Sequence, residues 1–239
     1  MSSAGSRTDA TTWRKTNPCS PFFFRGGLCG RLFSCPRTHR RRGSRLGLKQ
    51  PFTIVNCLEG ESRTPMLIIM AGLPGTGKST LSRALAEGGG IVLDKDIIRA
   101  ALFAPAHVEY SRRQDDFCQG IMLQAAEYLL SCHPRVRVFL DGRPFSRAYQ
   151  RRQVGQAAAR IGTPLAIIEC VCAEATALGR LHADSERGAH PAANRGPSLY
   201  ATVKAEFEPL SEPRLTVDTG QSLTECVKQG EAYLQQVIR

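Results

Sequence analysis

No stretch of this 239-residue sequence is apolar for long enough to span a bilayer, which takes about 20 residues. The triplet Phe22-Phe23-Phe24 runs straight into Arg25 and is too short for a signal-peptide core. A membrane partner is therefore not expected. The nine cysteines are odd in number and form no C-x-x-C pair, so neither a disulfide framework nor a zinc site is signalled. That usage fits a reducing, cytoplasmic compartment. His182 and His190 have no ligand-type partners nearby and are not read as metal ligands. Acids are almost missing from the first 50 positions, where Asp9 stands alone against 11 Lys and Arg. Residues 51–239 carry 21 basic and 20 acidic side chains, so all but one unit of the formal net charge of +11 lies in the first 50 positions. The total charge is thus no argument for a nucleic-acid-binding domain. Internal repeats are lacking as well.

Residues 1–65 are rich in Arg, Ser, Thr, Gly and Pro, show no sustained apolar period and are expected to be a disordered basic leader. Three readings compete for it. It is a tail that contacts nucleic acid or acidic lipid, or an organelle transit peptide, or translated sequence upstream of a true start at Met66. The last is preferred.

From Met66 onward strands and helices alternate, which predicts one α/β domain over 66–239 with a parallel sheet covered on both faces. Strands are expected at Met66–Ala71, 91–93, 136–140, 165–172 and Leu215–Asp218. The helices between them are expected to begin at Lys78, Ile97, Ser111, Ser146 and Thr176, with further helices over 198–207 and 222–238. Asp96 is expected to cap the helix over 97–102. Phe117, Ile121, Leu123, Ala125 and Leu129 are available for burial on the long helix, and Arg147, Arg151 and Arg152 are read as a solvated face.

Directly after the first strand stands GLPGTGKST, a complete G-x-x-x-x-G-K-[ST] phosphate-binding loop between a buried strand and a helix start. Gly72, Leu73, Pro74, Gly75, Thr76, Gly77, Lys78, Ser79 and Thr80 are expected to surround a phosphate chain, with backbone N–H groups from all but Pro74 available to point at it. Lys78 supplies a point charge for the β- and γ-phosphates of ATP, and the Ser79 hydroxyl can join the coordination of Mg2+. Ligands in such sheets sit at the carboxyl ends of the strands. There the second strand delivers Asp94, Lys95, Asp96 and Arg99, and the third delivers Asp141 and Arg143. Asp96 is taken as general base, with Asp94 or a plain helix cap as the alternatives. Asp141 follows four apolar residues, as a metal-side acid does, though an ordinary Asp-Gly turn reads the same way. Arg99 and Arg143 suit a phosphate or carboxylate on an acceptor, or a surface ion pair. The stretch from Arg180 through Arg187 to Arg195 reads as a lid or as a solvated basic loop.

These residues resemble a known group, the small P-loop kinases and kinase-like ATP-binding proteins. It includes phage-type polynucleotide kinases, zeta-toxin-like and chloramphenicol-phosphotransferase-like enzymes, and proteins often labelled AAA-family ATPase. The resemblance rests on GLPGTGKST at 72–80, DKDIIRAALF at 94–103, FLDGRPFSRAYQRRQV at 139–154, HPAANRGPSLYATVKAEFEPL at 190–210 and VDTG at 217–220. It implies a three-layer P-loop NTPase fold with a five-stranded parallel sheet, the second and third strands lying on one side of the P-loop strand. It also implies a base and an acceptor-side arginine at Asp96 and Arg99, and a lid carrying Arg180 and Arg187. There is no room for the helical second domain of ring-forming ATPases, so a monomer or small homo-oligomer is expected. The expected activity is transfer of the γ-phosphate of ATP to a hydroxyl of a small molecule, nucleotide or polynucleotide. The alternatives are an ATPase or regulatory module without an acceptor, and a nucleic-acid-binding protein working through the leader. The segment between Phe103 and His133, where acceptor choice is usually built, matches no pattern tied to a substrate.

Overall fold

The computed structural model describes residues 64–187 and 196–238, all within one compact unit. The leader, His190 and Arg195 lie outside the described residues.

The strand β1 (Met66–Ala71) is built from six apolar residues, all fully buried. Such a strand is stable only where helices cover both faces of the sheet. Around it lie β2 (Gly90–Asp94), β3 (Arg137–Asp141), β4 (Leu165–Val171) and β5 (Leu215–Asp218), all parallel, in the order β2-β3-β1-β4-β5. β2 and β3 therefore stand on one side of β1, as the resemblance implied.

Alternation along β1 divides the core in two. Met66, Ile68 and Met70 pack with Leu81 and Leu85 of α1 (Lys78–Ala86) and with Cys226 and Leu234 of α7 (Leu223–Gln236). Leu67, Ile69 and Ala71 pack with Cys118 and Met122 of α3 (Arg112–Cys132) and with Val154 and Ala158 of α4 (Ala148–Ile161). Each such aliphatic side chain contributes roughly 1.5–3 kcal/mol by leaving water. The remaining helices are α2 (Lys95–Leu102), α5 (Glu174–Arg187) and α6 (Pro197–Ala205). Because β1 is where the strand order reverses, the loop after it opens at the crevice where ligands of open parallel sheets bind.

Three local expectations are corrected. The cap of α2 is Asp94, whose carboxylate accepts from the N–H groups of Asp96 and Ile97 at 2.8 and 3.4 Å. The helix thus starts two residues earlier, and the Asp96 side chain is released from capping. Phe117 is 56% exposed, because the buried face of α3 is Cys118, Met122, Ala126 and Leu130. Phe117 meets only the edge of Phe103, at 6.0 Å between centroids. Arg151 is not solvated. It is 2% exposed and bonds Glu212, the Phe145 carbonyl and the Pro209 carbonyl, tying α4 to the segment before β5.

Candidate functional site

The loop between β1 and α1 is shaped by backbone rather than by side chains. Gly72 has φ 131°, and a Cβ there would lie 2.3 Å from the Cys170 carbonyl oxygen of β4, so only glycine lets the loop leave the sheet at this point. α1 then begins after Gly77 with no side-chain cap and no acid in its first turn. Its first N–H groups and the positive end of its dipole are left to an anion. Lys78 is 5% exposed, and its Nζ donates to the Leu73 carbonyl at 2.6 Å, a carbonyl that also accepts from Thr76 Oγ1 at 2.7 Å. The lysine is thus folded back over the loop.

At the neighbouring strand ends acids are crowded together. Asp94 and Asp141 are register partners of β2 and β3. A Cβ on Gly142 (φ 79°) would lie 2.5 Å from Asp94 Oδ1, so the Asp-Gly step after β3 is required by the neighbouring carboxylate. Burial, then Asp141, then Asp96 push the Asp94 carboxyl up to about 6. Asp141 is fully buried; its Oδ2 accepts from Ser82 Oγ at 3.4 Å, while Oδ1 has no hydrogen-bond partner. Ser82 also donates to the Ser79 carbonyl at 3.2 Å, so the acid at the end of β3 is joined to the first turn of α1. A buried carboxylate oxygen without a donor, beside a helix-borne serine, is a donor set that fits Mg2+ held through water.

The residues expected to face an acceptor meet in a cleft of about 110 Å³ lined by Lys78, Lys95, Asp96, Arg99, Asp115 and Arg143, among others. Asp96 is 6% exposed; its Oδ1 accepts from Arg99 Nη1 at 2.6 Å and lies 3.3 Å from Lys95 Nζ. Arg99 also binds Asp115 and lies under the Tyr110 ring, 5.1 Å from its centroid. Arg143 is 2% exposed and donates to Asp116 at 2.5 Å and Gln119 at 2.8 Å. Both arginines are therefore buried ion-pair members, and the sequence reading missed their partners Asp115 and Asp116. The Asp115-Asp116 pair one turn into α3 was a readable sign, but its target lay across the fold.

Arg180 is on α5, within the helix expected from Thr176. It donates to the Thr219 carbonyl at 2.8 Å, to Thr219 Oγ1 at 3.1 Å and to the Gly75 carbonyl at 3.5 Å. Thr219 Oγ1 in turn donates to the Thr76 carbonyl at 3.0 Å. The turn after β5 is thereby tied to the phosphate-binding loop. Beside it lies a second cavity of about 240 Å³, lined by Gly77, Thr80, Arg180, Thr219, Gln221 and Cys226, among others. Thr219 and Gln221 were not singled out from sequence; the VDTG segment was the only sign. Arg187 lies at the end of α5, and the rest of the expected lid falls outside the described residues. Cys170 beneath the loop has its thiol pushed up to about 12 by burial and is chemically quiet. Among the described residues there is no cluster of His, Cys, Asp and Glu that could by itself hold a metal ion, and no helix is long and apolar enough to cross a membrane.

Comparison with known proteins agrees with this fold. A protein of Chloroflexus aurantiacus J-10-fl assigned as a kinase is similar at 25% identity, with a TM-score of 0.56, covering 71% of this chain and 98% of its own. A gluconokinase from Sinorhizobium meliloti 1021 is similar at 23% identity and a TM-score of 0.53, covering 73% of this chain and 94% of its own. The Mycobacterium tuberculosis APS kinase CysC, in complex with AMPPNP and APS, is similar at 16% identity and a TM-score of 0.52, covering 72% of this chain and 99% of its own. No curated protein matches by sequence. The profile of the AAA domain family matches residues 67–210. The chain belongs to the AAA domain family, and its fold is that of the P-loop kinases.

Proposed function

We propose that the protein is an ATP-dependent kinase that transfers the γ-phosphate, with Mg2+, to a hydroxyl of a small molecule, nucleotide or polynucleotide. One observation carries this reading: a single cleft is lined both by Lys78 of the phosphate-binding loop and by the buried residues Asp96, Arg99 and Arg143. A pure nucleotide switch needs no buried carboxylate facing its phosphates from a second wall.

Residues 72–80 would hold the phosphate chain, and the cavity beside Arg180 and Thr219 the rest of the nucleotide. Ser79 and Asp141 would hold Mg2+, which supplies charge neutralisation on the β- and γ-phosphates. Asp96 takes the acceptor proton as the acceptor oxygen bonds to the γ-phosphorus, the bond to the bridging oxygen breaks, and ADP leaves. Lys78 offsets the charge that develops on the phosphoryl oxygens. Arg180 acts by holding the turn after β5 against the loop, and Arg187 is kept as a lid residue. Buried thiols at Cys118, Cys170 and Cys226 accord with a reducing, cytoplasmic setting. A monomer or small homo-oligomer suffices for a site completed within one chain.

A phosphotransfer screen with γ-labelled ATP against sugars, nucleosides, polynucleotide ends and antibiotics tests the reading. Label on an acceptor supports it. Hydrolysis to ADP that no acceptor accelerates would favour the second reading, an ATPase without an acceptor, which draws on the cleft's cations all being satisfied within the protein.

A further inference from the structure

Resting on the kinase reading, we infer that the acceptor is a small, uncharged polyhydroxylated molecule, such as a sugar or short polyol, because Asp115 and Asp116 already hold the arginines that an acceptor's anion would need. The cleft holds three cations besides Lys78, and each already has its counter-ion. Lys95 Nζ donates to Asp115 at 2.9 Å and lies 3.3 Å from Asp96. Arg99 is pinned between Asp96, Asp115 and the Tyr110 ring. Arg143 is taken by Asp116, with Gln119 and the Tyr149 hydroxyl completing its bonds at 2.8 and 3.3 Å. The three cations are each 6% exposed or less. Lys95, Arg99 and Arg143 thus balance Asp96, Asp115 and Asp116 one for one, which leaves Lys78 for the phosphates of ATP.

An acceptor bearing a phosphate or carboxylate would meet this cleft badly. To reach Arg99 or Arg143 it must displace a carboxylate that is already bonded, and it must do so beside the remaining acids. Breaking such a pair leaves an uncompensated buried charge, and like charges brought together across an interface are strongly disfavoured. A neutral polyol meets it well. Its hydroxyls donate to carboxylate oxygens and accept from the guanidinium and ammonium groups without parting any pair. The lining also has apolar residues, Pro74, Pro144 and, from α6, Leu199 and Val203, which suit the C–H groups of a polyol. The cleft's volume of about 110 Å³ is below the ~150 Å³ cavity that takes one benzene, so it encloses only the reacting end of an acceptor and leaves the rest at its mouth.

The test is phosphotransfer by the full chain from γ-labelled ATP to matched acceptors: neutral hexoses, pentoses and polyols, their carboxylated and phosphorylated counterparts, and an oligonucleotide with a free 5′-hydroxyl. The neutral member of a matched set is expected to exceed its anionic counterpart in kcat/KM by about a hundredfold. Asp116→Asn, at a half-buried position, and Asp115→Asn are expected to shrink that ratio at least about tenfold by freeing Arg143 and Arg99. Retained ATP affinity serves as the check that each variant has folded. If Asp115→Asn fails that check, Asp116→Asn alone decides. Preference of the wild type for the anionic acceptors overturns the inference and leaves the kinase reading standing, as does a ratio unmoved by Asp116→Asn. ATP hydrolysis with no label on any acceptor overturns both.

Discussion

The two halves of the cleft are made of different material. The phosphate side is backbone: a glycine-shaped loop, the uncapped start of α1 and one lysine folded onto a carbonyl. The side proposed for the acceptor is side chain: Lys95, Asp96, Arg99 and Arg143 from β2–α2 and the end of β3, interlocked with Asp115 and Asp116 of α3. A backbone site serves any phosphate chain and tolerates little change in the loop. A side-chain site is specific, and its chemistry changes with one substitution on a neighbouring helix. The common half and the particular half of the protein are thus physically separate.

That contrast can be broken by mutation. The largest effect is expected from Lys78→Ala, which should lower turnover by about a thousandfold or more, as removal of a pre-placed charge at the transferring group does. Turnover within tenfold of wild type would show that the backbone alone carries the phosphate side. Asp96→Asn should keep ATP binding and lower phosphotransfer by about 10²–10⁴-fold, the range of a lost general base. Transfer at the wild-type rate would remove Asp96 from that role. Arg180→Ala should loosen the turn after β5 and raise the KM for ATP by about tenfold, roughly 1.4 kcal/mol, with kcat little changed. A fall in kcat alone would instead make Arg180 a group that acts in the transition state.

The smallest effect concerns Asp94. Its folded-state carboxyl is raised to about 6 from 3.8, chiefly by burial and then by Asp141. A raised carboxyl means that the folded protein holds the proton more tightly than the unfolded chain. The associated stability is present below about pH 4 and is lost as pH rises toward 6. Without divalent cation the urea midpoint should therefore fall across that window, by an amount equivalent to roughly 2–3 kcal/mol at most. Asp94→Asn, which keeps a capping side chain, should flatten the slope; an unchanged slope would assign it to other groups.

Much of the fold was legible because it rests on local rules. Six apolar residues before GLPGTGKST can only be a buried strand, and all five strands lie where periodicity put them, within a residue or two. The errors have one physical source. Asp94 and Asp96 are equally good caps by residue type, and the choice fell to where β2 ends against β3. Phe117 is apolar yet faces out, because α3 turns Cys118 and Met122 to the sheet. Arg151 sits in a polar stretch yet is buried, because Glu212 and two carbonyls, 61 residues away or nearer, converge on it.

The phosphate-binding loop, the parallel sheet and the list of charged residues at the strand ends were determined by the sequence alone, since each depends on neighbours within a few positions along the chain. Which charges face one another was decided only by the tertiary structure. Asp115 and Asp116 are 16 and 27 residues from the arginines they neutralise, and Thr219 is 39 from Arg180. Electrostatic pairing depends on distance through space, and the sheet and its crossovers set those distances.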